Sequence, residues 1–229
     1  MADALPSRLR CSTESWRLQN ASRSGGQSIS GTQQFVASPS SQWRAKISLH
    51  LLDDADYLEA RGWLASLDGQ AGTFLVGPTD WRGVPWILDP YTSAPITPRV
   101  QKANAAVDTA YTSNPDTAGS LQFALTSSAP MNATVIRVTR VSGGLLKRGQ
   151  YLGIGGRMHT IVVPPIDTGK AGDIDLAIRP WLRADYPAGT AIQFAAPQTL
   201  MRLADADQGD ITMTTSPLAD LSLDLIEAF

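Results

Sequence analysis

His50 and His159 are the only two histidines in the 229-residue chain. Acid–base catalysis or metal binding by an imidazole needs further groups held within bonding reach. Neither histidine has such partners by spacing, and both fall at or beside extended segments, where they read as strand or surface residues. Cys11 is the single cysteine, so no disulfide within the chain and no cysteine-based zinc site can form; its expected place is half-buried. Asp53, Asp54 and Asp56 precede a helical pattern, where carboxylates favour the positive end of the helix dipole. Asp205, Asp207 and Asp210 with Gly209 follow a calcium loop only loosely. The glycine comes one residue early and the distal glutamate is missing. Gly153-Ile154-Gly155-Gly156 lacks the last glycine and the following helix of a dinucleotide site. No Gly-x-Ser-x-Gly elbow and no Gly-Lys-Ser/Thr phosphate loop occurs. Asn20-Ala21-Ser22 and Asn132-Ala133-Thr134 fit the glycosylation pattern, but no secretion signal is expected and they read as chance matches. The expectation is a non-enzymatic protein with no catalytic residues, no metal and no cofactor.

Composition points the same way. Hydrophobic residues make up 43% of the chain and charged residues 17%, below the roughly 25% usual in soluble domains. Such a surface suits a protein that buries much of itself in an assembly, or a small polar β protein rich in Ser and Thr. Net charge is −2, and the basic residues form no block. A nucleic-acid binder needs a basic stripe to displace counterions from phosphates, so no specific nucleic acid is expected as a partner. No apolar run approaches the roughly 18 residues of a membrane span. Synthesis in the cytoplasm and no membrane association are expected.

The elements that position these residues are mostly strands. Gln27 to Val36 has no helical period and reads as a strand bordered by turns. Trp43, Ala45, Ile47 and Leu49 alternate with Arg44, Lys46 and Ser48, the period of a half-buried strand. The period then changes. Asp53 or Asp54 can cap a helix over 54–68 with apolar positions Tyr57, Leu58, Ala60, Trp63, Leu64 and Leu67, stopped by Gly69. Gly72 to Pro78 reads as a short buried strand. From 78 to 118 the chain is a long loop rich in Pro, Thr, Ala, Ser and Asn. Its Trp81, Trp86 and Tyr91 can pin the loop to its own surface or insert into a neighbour.

A second β block follows. It contains 121–125, 134–139, a hairpin of 150–154 and 157–163 turning at Gly155-Gly156, then 173–178 and 191–194. Short strands with glycine turns predict a small barrel of oligonucleotide/oligosaccharide-binding (OB-like) type. Ile211, Met213 and Thr215 alternate again, and Leu221 to Phe229 reads as a final antiparallel strand. Its backbone groups need partners, which the N-terminal strands can supply. The expected organisation is one domain from 1–110 and 196–229 with an inserted barrel at 111–195.

Three groups of segments together carry a resemblance. The first is Gln42-Trp43-Arg44-Ala45-Lys46-Ile47-Ser48-Leu49, a helix, then Leu67-Asp68-Gly69-Gln70-Ala71-Gly72-Thr73-Phe74-Leu75-Val76-Gly77. The second is Leu146-Lys147-Arg148-Gly149-Gln150-Tyr151-Leu152-Gly153-Ile154-Gly155-Gly156-Arg157-Met158-His159, continued by Ile178-Arg179-Pro180-Trp181-Leu182-Arg183. The third is Met201-Arg202-Leu203-Ala204 with the ending Leu221 to Phe229. In this order they resemble the tail-tip proteins of tailed phages, and the distal tail protein of the baseplate hub is the nearest role. The resemblance implies a mainly β fold: a β-sandwich ring domain with one helix and a peripheral small β-barrel. It also implies a structural virion protein in a homohexameric ring at the viral tail. Its partners would be copies of itself, the tail tube protein, and tail hub, tip and fibre proteins.

A ring subunit must offer two different faces that close by rotation, and open sheet edges suit that task. Trp43 and Trp63 fit core positions. Trp81, Trp86 and Tyr91 are the candidate interface residues. The long loop and the polar N-terminus are candidate arms around adjacent subunits. The alternative is a tail-tip module that binds host glycan, with Tyr151, Trp181 and Tyr186 stacking on sugar rings. A glycosidase is the third reading and needs two placed carboxylates.

Overall fold

Trp43, Ala45, Ile47, Leu49 and Leu51 are buried on one face of a ten-residue strand because their neighbours alternate with them. A computed structural model describes residues 3–6, 8–27, 29–79, 84–85, 121–167, 172–209, 211 and 219–229. Among them the chain forms strands β1 (Asp3–Ala4), β2 (Arg10–Gln19), β3 (Ser22–Gln27), β4 (Gln33–Ala37) and β5 (Gln42–Leu51). Helix α1 (Asp54–Ser66) and β6 (Phe74–Val76) follow. Then come β7 (Gln122–Leu125), β8 (Val135–Ser142), β9 (Tyr151–Ile154), β10 (Arg157–Ile161), β11 (Gly172–Arg179) and β12 (Ala191–Ile192). The last strands are β13 (Thr199–Leu203) and β14 (Ala219–Glu227). Among the described residues the fold is mainly β with one α-helix, as the sequence pattern predicts.

Contacts divide the chain into two compact units, 1–79 with 198–229, and 80–197. The boundary at 110 read from the sequence lies outside the described residues.

The first unit is built on a six-stranded sheet in the order β1-β6-β13-β14-β5-β2, beside a two-stranded β3–β4 hairpin. Leu221, Leu223 and Leu225 of β14 lie opposite Leu49, Ile47 and Ala45 of β5, and all six are buried. Such directly opposed pairs fix the register, because a slip of one residue would turn every apolar side chain to the other face.

Helix α1 is capped by Asp53, whose carboxylate accepts from the Asp56 amide at 2.8 Å. Its buried face is Ala60 and Trp63, and Leu67 just beyond is buried too. Trp63 meets Phe74 of β6 edge-to-face, with centroids 4.9 Å apart. The helix ends at Ser66 rather than 68. Asp68 and Gly69 are left-handed, and the Gly72 amide donates to the Leu67 carbonyl at 2.7 Å. A Cβ on Gly72 would strike the Leu67 backbone. Leu58 is exposed and leaves the expected apolar face. At about 100° per residue it stands nearly opposite Ala60.

The expected single strand over Gln27 to Val36 is instead a turn and one side of a hairpin. Gln27 ends β3, and β4 begins at Gln33. Gly26 and Gly31 hold positive φ near the reversal.

The second unit is a six-stranded antiparallel sheet in the order β12-β7-β8-β11-β10-β9. It is almost closed into a barrel. Gly153 of β9 and Gln193, which follows β12, exchange amide–carbonyl bonds of 2.7 and 2.9 Å. Closure removes sheet edges. Phe123, Leu125, Ile136, Val138, Leu176 and Phe194 are among the side chains that fill the interior. The β9–β10 hairpin turns at Gly155 and Gly156, with φ of 55° and 74°, the paired positive φ of a two-residue turn.

Candidate assembly surfaces

β2 and β5 pair from Arg10↔His50 to Gln19↔Gln42. Among the described residues β2 has no strand on its outer side. A ten-residue edge with unmatched amides and carbonyls is a template for another chain. A register shift between Cys11 and Thr13 bends it, one way in which edges are blunted. Burial, helped by Glu14, pushes the Cys11 thiol up from its ordinary range, so it is a poor nucleophile. Glu14 accepts from the Trp16 indole at 3.1 Å and from the Thr79 amide and hydroxyl at 2.9 and 3.0 Å. That carboxylate ties the strand to the end of the first unit's leading segment.

The ribbon continues past the sheet. β14 accompanies β5 only as far as Arg44. Beyond Gln42 the chain carries on as β3 and β4, joined to the ribbon by the Ser38 amide donating to the Ala21 carbonyl at 2.8 Å. From Gly31 to Val36 every side is exposed, and Ile29, Phe35 and Val36 are large apolar residues left in water. Two-stranded hairpins are marginal on their own. This one is held by local bonds such as Ser24 Oγ to the Gly26 amide, 3.3 Å. We call it the arm.

The second unit carries a groove of about 410 Å³ on its outer surface. Val135, Val163, Pro164, Pro165, Ile166 and Ala177 supply its apolar lining. Val135 and Val163 are half exposed, and Ile166 is 93% exposed. Two carboxylates also line it. Asp175 is paired with Arg137 through bonds of 2.7 and 2.9 Å, which holds the carboxyl below its usual range. Asp173 accepts from the hydroxyls of Thr126 and Thr139 at 3.1 and 2.7 Å. Asp173 also lies within electrostatic reach of the Arg137 guanidinium, so among the described residues Asp173 and Asp175 share one cation.

The groove's wall is anchored from beneath. Asp167, next to Ile166, is bonded by the Arg140 guanidinium and accepts from the Leu146 amide at 2.7 Å. Arg140 also donates to the Gly144 carbonyl at 2.9 Å.

The residues considered for chemistry are dispersed. His50 contacts Asp220 across the β5–β14 pair. His159 is buried inside the barrel opposite Leu152. Its Nδ1 lies 2.8 Å from the Pro180 carbonyl, and its Nε2 has no hydrogen-bond partner. Burial, opposed by that carbonyl and reinforced by Arg183 and Arg157, brings its pKa down to about 4. Asp53 and Asp56 bind Arg8 at 2.8 and 2.6 Å, so these carboxylates serve the helix cap. No group of three metal-ligating side chains gathers among the described residues, and Asp210 lies outside them. Tyr186 packs its ring against Gly155 and reaches the Ile154 carbonyl at 3.4 Å. It is spent on the hairpin turn rather than offered as a stacking platform.

Trp81, Trp86 and Tyr91 lie outside the described residues. The hairpin falls within the polar N-terminus read in the sequence as a candidate arm, though not read there as a hairpin, and the groove was missed as a site. A usable signal was Val163-Pro164-Pro165-Ile166. Two prolines cannot continue a sheet ladder, so the flanking Val and Ile are apolar residues with no strand to bury them. No helix among the described residues is long and apolar enough to cross a membrane. The chain matches no family model, and no curated protein matches it.

Proposed function

We propose that this chain is a structural virion protein whose copies close into a ring, a homohexamer, joining the tail tube of a phage to its tail tip or baseplate. The observation that carries the reading is the β2–β5 ribbon. Among the described residues it gives the first unit a ten-residue edge with no strand paired on its outer side, running on into an exposed apolar arm. A lone subunit gains nothing from leaving such an edge and arm in water, because exposed edges invite aggregation. A subunit in a permanent assembly covers them, and head-to-tail contacts that close by rotation give a ring. Its partners are then copies of itself, the tube protein above, and hub, tip and fibre proteins below. No step in this role breaks a covalent bond, so the chain needs no reacting group. Light scattering with negative-stain imaging of the purified chain tests this. Six-fold rings with a central pore are expected; a monomer at every concentration overturns the proposal.

A further inference from the structure

We infer that the β3–β4 arm of one copy seats Ile29 and Phe35 in the barrel groove of a second copy. The inference deepens the ring reading and rests on it. Ile29 and Ile166 are 111% and 93% exposed, the two most exposed large apolar side chains among the described residues. One stands on a projecting hairpin and the other on the wall of a concave site, so each supplies what the other lacks. Charge agrees with shape. Residues 22–37 contain one arginine and no acidic residue, whereas among the described residues the groove holds two carboxylates, Asp173 and Asp175, against the one guanidinium of Arg137. Complementary potentials of this kind set partner choice and register. Pro164 and Pro165 have no amide to offer a strand edge, so the arm enters by its side chains and not by strand addition. Arm and groove are different surfaces, so within the proposed ring the contact runs head-to-tail from each copy to the next, and rotation closes it.

The test uses the full chain with Cys11→Ser. One population carries Ile29→Cys and another, of different mass, carries Val163→Cys; the mixture is treated with a short bis-maleimide. A covalent product of the two masses is expected, and no such product when Glu59→Cys on the helix replaces Val163→Cys. Separately, Ile29→Asp, at a fully exposed position that leaves folding intact, is expected to raise the concentration for half-assembly by about ten- to a hundredfold, the loss of one buried aliphatic side chain. A half-assembly concentration left unchanged by Ile29→Asp, or rings that form without the Ile29–Val163 product, overturns the arm inference and leaves the ring standing. Cross-linking within one chain when both cysteines share it, with none between chains, also overturns it. A wild-type monomer at every concentration defeats both.

Discussion

Arg140 and Asp167 form an ion pair in which both side chains are 3% exposed. The Arg140 guanidinium lies over Phe123, 5.7 Å from the ring centre, and its partner carboxylate also receives the Leu146 amide. The pair therefore joins β8 to the 163–167 segment that walls the outer groove. Removing one buried charge strands the other, at about 3–5 kcal/mol. Asp167→Ala is expected to lower urea-unfolding stability by that amount. The double change Arg140→Met, Asp167→Leu should recover most of it. A single substitution costing under about 1 kcal/mol would contradict a buried, interdependent pair.

His159 gives the barrel an acid-sensitive element. Its folded pKa, about 4 against an ordinary 6.5, means that the unfolded chain binds the proton first as pH falls. Stability is undiminished above pH 6.5 and is lost progressively down to about 4, by about 3 kcal/mol in all. Asp53 and Asp175 carry carboxyl pKa values below their ordinary 3.8, so the stability they contribute is lost at more acidic pH. Denaturant titrations between pH 7 and 4 should show this slope in the wild type and lose it in His159→Met. An unchanged slope in the variant would assign the effect elsewhere.

Gly155 has φ of 55°, and a Cβ there would strike the Tyr186 ring. Gly155→Ala should destabilise by about 2–4 kcal/mol, combining left-handed backbone cost with overpacking. In a Tyr186→Leu background the steric part disappears and about 1–2 kcal/mol remains. A double-mutant cycle reads the difference; additive effects would mean that the ring moves aside freely.

Trp63 joins the helix to the sheet through Phe74. Trp63→Ala should cost about 3–5 kcal/mol and, if assembly needs a folded first unit, abolish rings as well. Thermal unfolding followed by far-ultraviolet circular dichroism measures the first effect. A loss below about 1 kcal/mol would show that the helix docks by other contacts.

Strands β5 and β14 were legible because Trp43 to Leu51 and Leu221 to Leu225 keep strict alternation beside a one-sided core. The turn at Gly155-Gly156 was legible because few residues accept its φ values. β2 was not. The register shift between Cys11 and Thr13 changes which parity faces inward, so Cys11 precedes the break while Glu14, Trp16 and Leu18 follow it in the opposite phase. The arm left no pattern, since no core distinguishes its two faces. The groove is assembled from β8, β11 and a Pro-Pro loop, a meeting of distant segments that no local period encodes. The candidate interface residues Trp81, Trp86 and Tyr91 fall outside the described residues.

β14 lies inside its sheet, between β13 and β5, yet follows every other described strand in the order of translation. Every strand of the barrel leaves the ribosome before it. The barrel can therefore mature while the nascent sheet still presents two raw seams, along β5 and β13. Stalling or premature termination ahead of residue 219 would release a polypeptide with a finished barrel and a sticky, unfinished sheet. Such fragments would aggregate with one another through the two unpaired strands.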